Sequence, residues 1–319
     1  MLDETDFDPS PKISPKRRLP VLPNNPDSEA RGRFPSWLHR PLTPAAERSS
    51  TYSILRSQGL PTVCEEARCP NRQECFSRRT ATFLAMGDTC TRACGFCEIA
   101  TSPHPPPLDP LEPQRIAQSA HELGLKHVVI TMVARDDLED GGAAHLVKIV
   151  QAVREGVPGC TVELLTSDLQ GKTDALKKVF AIRPEIYNHN IETVRRLTPS
   201  VRHKATYERT LEVLQMAKMS GEVGFIKSGL MLGLGESPDE VKETLNDLKE
   251  AGCDIVTIGH YLQPSRNKLR VKAFVEMELF SALESYGNEL GIRVYSGPYV
   301  RSSYNAAALL EGLRSMHGH

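Results

Sequence analysis

The sequence predicts an α/β fold: a partial (βα)6-type parallel barrel over residues 81–298, flanked by N- and C-terminal extensions. Three observations carry that prediction. Seven apolar, β-rich runs recur along the chain, helical patterns separate them, and a compact cysteine loop follows directly on the first run. The runs are ATFLAMG (81–87), HVVITM (127–132), TVELLT (161–166), EIYNHN (185–190), FIKSGLML (225–232), DIVTIGHY (254–261) and RVYSG (293–297). Each is nearly continuous in apolar residues, the pattern of a strand covered on both faces. Between them, PQRIAQSAHELG, HLVKIVQAVREG and DEVKETLNDLKEAG place apolar residues at helical spacing and close on glycines that can serve as C-caps. A helix after each strand carries the chain back across the sheet, so the strands run parallel. Six or seven such units fall short of the eight that close a full barrel.

The flanks read differently. Residues 1–33 include PSPKISPKRRLPVLPNNP, rich in proline and charge without periodicity, which predicts a flexible or wrapped arm; its Lys16-Arg17-Arg18 run reads as solvated. Residues 34–80 alternate short polar and apolar stretches and hold Trp37 and the first three cysteines, an N-terminal extension packed against the barrel. Residues 299–319 form a C-terminal segment.

With 319 residues the chain has ample material for a core and needs no cysteine staples. Lys and Arg total 39 against 40 Asp and Glu, a net charge of −1, so no bulk field favours nucleic acid or an anionic membrane. No apolar run approaches the roughly 18 residues of a membrane span, and the first 30 residues lack the apolar core of a secretory signal. Asp3, Glu4, Asp6 and Asp8 also argue against an acid-poor transit peptide, so the expected location is cytoplasmic. In that compartment, clustered cysteines are metal ligands or catalytic thiols more often than disulfides.

Cys90, Cys94 and Cys97 form C-x3-C-x2-C, a loop that can bring three thiolates to one metal centre. A structural zinc would need a fourth ligand, and the nearest downstream candidate, His104, sits in a proline-rich stretch. A four-iron cluster on three cysteines instead leaves one iron open to a small molecule. Cys64, Cys69 and Cys75 form C-x4-C-x5-C ahead of the barrel. They could be ordinary thiols, or a disulfide plus a spare, but a polar, Glu-rich loop is a poor place for buried packing residues, and a second cluster accounts for them better. Cys160 and Cys253 stand singly before strands and read as small buried hydrophobes.

With Phe96 as the aromatic before the last cysteine, C-x3-C-x-Phe-x-C resembles the signature of radical S-adenosylmethionine enzymes. TVCEEARCPNRQECF, continued through ATFLAMGDTCTRACGFCEIATS, resembles the lipoyl synthases among them, and Arg301-Ser302-Ser303-Tyr304 resembles their C-terminal motif. The resemblance covers most of residues 62–306 and implies the partial TIM barrel of that superfamily. It further implies two [4Fe–4S] clusters and S-adenosylmethionine as cosubstrate. Cys90, Cys94 and Cys97 would hold the cluster that cleaves the cofactor to a 5′-deoxyadenosyl radical. Cys64, Cys69 and Cys75, with Ser303 as fourth ligand and Ser302 as the fallback, would hold an auxiliary cluster that donates sulfur.

The implied reaction adds sulfur at C6 and C8 of an octanoyl chain on a lysine of a lipoyl carrier domain, positions without an acidic proton, where general-base chemistry has no purchase. Implied partners are that octanoylated carrier (a glycine-cleavage H protein or a 2-oxoacid dehydrogenase E2), an electron donor such as ferredoxin or flavodoxin, and an iron–sulfur carrier for cluster repair. By the same resemblance Phe96, Asp137, Asn188, Asn190, Glu192 and Gly233 are the expected cofactor contacts. Read from the residues alone, Asp137 could equally cap a helix and His189 could be a satisfied strand-end histidine. Met132-Val133-Ala134, His260 and Lys268-Leu269-Arg270-Val271 depart from the family pattern in loops over the barrel mouth. The rival readings are a biotin-synthase-like or methylthio-transferring radical enzyme, and a non-enzymatic zinc or iron–sulfur module.

Overall fold

A computed structural model describes residues 35, 38 and 49–317. The arm at 1–33, its Lys16-Arg17-Arg18 run and Trp37 lie outside the described residues. The extension contributes three short helices, α1 (Ser49–Ser57), α2 (Val63–Glu66) and α3 (Arg72–Ser77). Then follow β1 (Thr82–Ala85), the short β2 (Thr89–Cys90) and β3 (Ala100–Thr101), α4 (Glu112–Leu123), β4 (His127–Met132) and α5 (Ala143–Gly156). The middle of the chain supplies β5 (Thr161–Leu165), α6 (Thr173–Ala181), β6 (Ile186–Asn188), α7 (Thr198–Val201) and α8 (Tyr207–Ser220). The remainder is β7 (Phe225–Leu232), α9 (Pro238–Glu250), β8 (Ile255–His260), α10 (Met277–Glu289), β9 (Arg293–Gly297) and α11 (Ala306–His317).

All seven predicted runs form strands, in one parallel sheet ordered β1-β4-β5-β6-β7-β8-β9. Alternation along the strands sorts side chains between barrel interior and helix layer. Tyr187 faces outward, edge-on to Phe180 of α6 at 5.0 Å between ring centroids. Its neighbour Ile186 faces inward, where it joins Ile255 and Leu310 of α11 in a small cluster that plugs one end of the barrel. Of the expected glycine caps, Gly124 ends α4 in the left-handed conformation. Gly156 does not: it is the last residue of α5, where a Cβ would stand 3.2 Å from that of Ala117, so its smallness serves helix packing. At the end of α9, Gly252 follows Ala251 with φ +88°, its amide donating to the Lys249 carbonyl and that of Cys253 to Leu248, so this glycine does cap its helix.

The sheet remains open, with β1 and β9 as its edges. Exposed edges present unpaired backbone groups and must be covered. The two ends of the chain do this together. Thr62 bridges to Phe83 of β1, and the Leu84 amide donates to the Pro61 carbonyl at 3.2 Å. Across the gap, Asn71 Nδ2 donates to the Tyr299 carbonyl at 2.7 Å, and the Tyr304 hydroxyl donates to Glu74 Oε1 at 3.0 Å. Two glycines let the C-terminal segment come this close. A Cβ on Gly259 would lie 2.2 Å from the Val300 carbonyl oxygen, and one on Gly229 2.9 Å from Ser302 Oγ. This closure sets residues 64–75 beside residues 301–304.

Candidate active site

A cavity of ≈ 480 Å³ opens at the C-terminal ends of the strands, the end where parallel barrels carry their chemistry. Its walls come from the cysteine loop after β1 and from the segments that follow β4, β5, β6 and β8. The pair β2–β3 clasps the base of the cysteine loop. Cys90 Sγ accepts from the amides of Arg92 and Ala134, both at 3.3 Å, and Cys94 Sγ from that of His203 at 3.4 Å. Backbone bonds from Gly95 to Val201 and from Leu269 to Gly95 fix the loop to both sides of the mouth.

Cys90, Cys94 and Cys97 all line this cavity. Burial pushes the Cys97 thiol up to about 12 and raises that of Cys94. Such thiols stay protonated unless a cation compensates their charge, which is what iron ligation does. Among the described residues, no three Cys, His, Asp or Glu side chains converge tightly enough to hold a single metal ion.

Arg92, inside the cysteine loop, anchors it. Its guanidinium donates to both Asp136 carboxylate oxygens at 2.9 and 2.8 Å and to Asp168 Oδ1 at 2.6 Å, tying the loop to the segments after β4 and β5. Burial alone would raise the Asp168 carboxyl, but Arg92 outweighs it and holds the group below the usual carboxylate range. Glu192 adopts φ +68°, sparsely populated for a residue with a Cβ, and forms a bridge to Leu230 of β7 that sets it in the cavity wall. Burial raises its carboxyl, against the opposing charge of Arg202, which also lines the cavity. His189 is 2 % exposed and donates from Nδ1 to the Thr166 carbonyl at 2.8 Å. Its Nε2 has no partner, an acceptor buried in the cavity wall with nothing in the protein to satisfy it.

Of the six expected cofactor contacts, Phe96, Asn190 and Glu192 line the cavity; Asp137, Asn188 and Gly233 do not. Arg135 pairs with Asp137 at 2.7 Å and turns it aside; Asp137 caps no helix either, because Asp140 accepts the Gly142 and Ala144 amides at the start of α5. Asn188 lies deeper in the barrel, its Nδ2 donating to Glu163 at 3.0 Å. Gly233 forms the turn after β7, where its amide donates to Glu236 and a Cβ would meet the His260 ring at 2.8 Å. His260, a departure from the family pattern, is itself spent on structure: its two ring nitrogens bond the Tyr261 carbonyl and the Val275 amide. Met132, Val133 and Ala134 do reach the cavity. Sequence reasoning missed Arg92, Asp168 and Arg202; only a charged residue between two cysteines signalled the first.

Cys64 and Cys69 line the same cavity with Ser302 and Ser303, while Cys75 lies behind them. Burial pushes Cys64 up to about 12 and Cys75 to about 11, the chemistry again of thiols awaiting a cation. Ser302 Oγ donates to Asn190 Oδ1 at 3.0 Å. The Ser303 side chain is bonded to none of the described residues and fronts the auxiliary cysteines. Cys160 and Cys253 are buried, as expected, and line neither this cavity nor a smaller one behind it.

An open parallel barrel with a three-cysteine loop after its first strand and a cavity across its mouth defines a radical S-adenosylmethionine enzyme, and the sequence profile of the radical SAM superfamily matches residues 84–248. The structure resembles Streptococcus suis SuiB bound to S-adenosylmethionine with a TM-score of 0.54 at 13 % identity, over 68 % of this chain and 49 % of that one. A lipoyl synthase from Protochlamydia amoebophila is 56 % identical, over 93 % of this chain and 95 % of its own length; one from Chlamydia felis is 54 % identical, over 88 % and 90 %. The chain belongs to the lipoyl synthase family. Among the described residues, no helix is long and apolar enough to cross a membrane.

Proposed function

We propose that Cys90, Cys94 and Cys97 hold the cofactor-cleaving [4Fe–4S] cluster, that Cys64, Cys69, Cys75 and Ser303 hold the auxiliary one, and that the chain inserts sulfur at C6 and C8 of a carrier-bound octanoyl group. The carrying observation is that one cavity at the barrel mouth is faced both by all three cysteines of the first set and by Cys64, Cys69 and Ser303 of the second. When bound, S-adenosylmethionine and the clusters supply a carbon radical for hydrogen abstraction and sulfur for the product.

The chain's own residues bind, orient and exclude water. Arg92 locks the cysteine loop against the β4 and β5 segments. His189 Nε2 offers an acceptor, Glu192 a carboxylate and Phe96 an apolar wall to the cofactor, with Asn190 held in place by Ser302. Leu84, Met132, Val133, Leu262 and Ala134 give the rest of the cavity an apolar lining suited to an alkyl chain. Between the two serines, the engaged hydroxyl of Ser302 and the unengaged one of Ser303 favour Ser303 as ligand.

The reading extends to an octanoylated H protein or E2 domain as substrate, a ferredoxin or flavodoxin as electron source, a carrier for cluster repair, and the cytoplasm as location. It also divides the chain into an arm at 1–33, an extension at 34–80, a barrel at 81–298 and a C-terminal segment at 299–319. Two clusters require about eight irons and eight acid-labile sulfides per chain. The test compares Cys90→Ala with Cys64→Ala, incubated anaerobically with an octanoylated carrier, S-adenosylmethionine and reductant. The first variant loses 5′-deoxyadenosine formation, while the second keeps it yet adds no sulfur by product mass. Normal dithiolane product from Cys64→Ala would remove the donor role from that set.

A further inference from the structure

Glu112 is the first residue of α4; it is 4 % exposed and does not line the cavity. Its carboxylate is engaged by one short stretch of chain and one ring. Oε2 accepts from the Met86 amide at 2.9 Å and lies 2.7 Å from Nε2 of His145 on α5, while Oε1 accepts from the Gly87 amide at 3.1 Å. Met86 and Gly87 follow directly on β1 and are both left-handed, with φ +70° and +83°. A methionine is disfavoured there by its Cβ, so the turn persists because its surroundings compensate. Two successive amides aimed at one point form an anion-binding concavity, and the Glu112 carboxylate is its anion. Gly142, at the head of α5, makes room for the Met86 side chain: a Cβ there would stand 2.3 Å from Met86 Sδ.

Only Asp88 and Thr89 separate this turn from Cys90. Two residues leave little length in which to correct a change of direction, so the turn sets where Cys90 falls. The other grips on the cysteine loop act elsewhere. Arg92 and the backbone bonds of Gly95 hold it beyond Cys90, and the β2–β3 pair ties its two ends to each other. Glu112 fixes it ahead of Cys90, to the helix layer of the barrel. Cys90 Sγ accepts both from Arg92 inside the loop and from Ala134 on the segment after β4, so a shift of its backbone moves the sulfur relative to both donors.

We infer that Glu112, braced by His145, is a positioning residue for the cofactor-cleaving centre: it holds the Met86–Gly87 turn and thereby sets how the Cys90 end of the loop presents that centre to the cavity. The inference rests on the assignment of Cys90, Cys94 and Cys97 made above. The site requires a carboxylate, not merely a polar side chain of the same length. Three donors face two accepting oxygens, and a glutamine would turn its own amino group toward one of those donors. His145 completes the set from α5 and holds the carboxylate in the rotation that meets both amides.

The test uses the full-length protein, reconstituted anaerobically with both clusters, as parent and as Glu112→Gln. Iron content should match the parent, whereas the electron paramagnetic resonance spectrum of the reduced first cluster with S-adenosylmethionine should shift. The kcat for 5′-deoxyadenosine formation should fall about 10- to 100-fold with KM for the cofactor nearly unchanged, and the amides of residues 84–90 should exchange faster with solvent. The auxiliary cluster, isolated by changing Cys90, Cys94 and Cys97 to alanine, should keep its spectrum when Glu112→Gln is added. His145→Leu should move the same readouts in the same direction by less, and His145→Gln, which keeps a donor where Nε2 stands, should return them to the parent values. Glu122→Gln, exposed on the same helix, should match the parent throughout. A parent spectrum and parent kcat in Glu112→Gln overturn the inference, as does equal loss of iron from both clusters, the mark of a merely structural role. A Cys90→Ala protein that still forms 5′-deoxyadenosine overturns the ligand assignment itself.

Discussion

Replacing His189 by leucine should weaken S-adenosylmethionine binding and flatten the acid limb of the stability profile. The Nδ1 proton is committed to the Thr166 carbonyl, so the neutral ring presents a lone pair from Nε2, buried in the wall of the main cavity and unpartnered in the protein. A buried acceptor left unsatisfied costs about 1–3 kcal/mol, and a cofactor donor that satisfies it recovers that amount. The leucine variant should then bind the cofactor about 5- to 150-fold more weakly, measured by isothermal titration of the cluster-loaded protein. His189→Gln, which keeps an acceptor, should recover part of the loss.

The same residue sets a pH dependence. Burial, reinforced by Arg202, pushes the His189 imidazole from 6.5 down to about 4. The folded protein keeps it neutral while the unfolded chain takes up a proton, so its contribution is fully present above pH 6.5 and is lost as pH falls toward about 4. Within that window the loss is about 1.4 kcal/mol per pH unit. Denaturant unfolding at several pH values should show a slope shallower by about that amount in His189→Leu. Unchanged cofactor affinity together with an unchanged slope would refute the placement of this ring.

Three further outcomes follow from the geometry. Ser303→Ala should alter the Mössbauer signature of the auxiliary cluster and abolish sulfur transfer, while Ser302→Ala, losing only its bond to Asn190, should keep that signature; the reverse result would exchange the two serines. Lys227→Met strands the fully buried Glu163 carboxylate, which Lys227 holds at 2.8 and 3.1 Å. That should cost about 3–5 kcal/mol in chemical unfolding, with partial recovery when Glu163→Leu is added, and a cost below about 1 kcal/mol would show the pair to be dispensable. Arg92→Lys keeps the charge but loses the fork that spans Asp136 and Asp168, so 5′-deoxyadenosine formation should slow at unchanged iron content. A normal rate would mean the loop is held by its backbone bonds alone.

The strands were legible because a buried parallel strand is apolar on both faces and announces itself in a short run, as HVVITM and DIVTIGHY do. The cysteine sets were legible through spacing, and Ser303 only through resemblance, since nothing local distinguishes a serine 239 positions from Cys64. Depth within the barrel was not legible. Asn188 ends β6 and Asn190 lies just beyond it, and those two residues of chain separate a structural amide bonded to Glu163 from one at the cavity wall. Asp137 was lost to a partner two residues away, and Gly233 to a turn that only φ +101° reveals. The pairing of Arg92 with Asp168 joins residues 76 positions apart, beyond any periodic signal.

The open edge of the barrel explains why the auxiliary site is built from both ends of the chain. Seven parallel strands leave the outer edges of β1 and β9 unpaired within the sheet, and covering them requires segments that are not themselves strands of the sheet. The cover here comes from α2 and α3 on one side and residues 299–304 on the other, joined by the Asn71–Tyr299 and Glu74–Tyr304 bonds. Cys64, Cys69 and Cys75 on one segment and Ser303 on the other meet at the seam by the same closure that hides the edge. The first cysteine set has a different support, a loop clamped by Arg92 and by backbone bonds on both sides of the mouth. Cys90, Cys94 and Cys97 thus sit on a loop tied down from several sides, whereas Cys64, Cys69, Cys75 and Ser303 sit on the seam between the two segments.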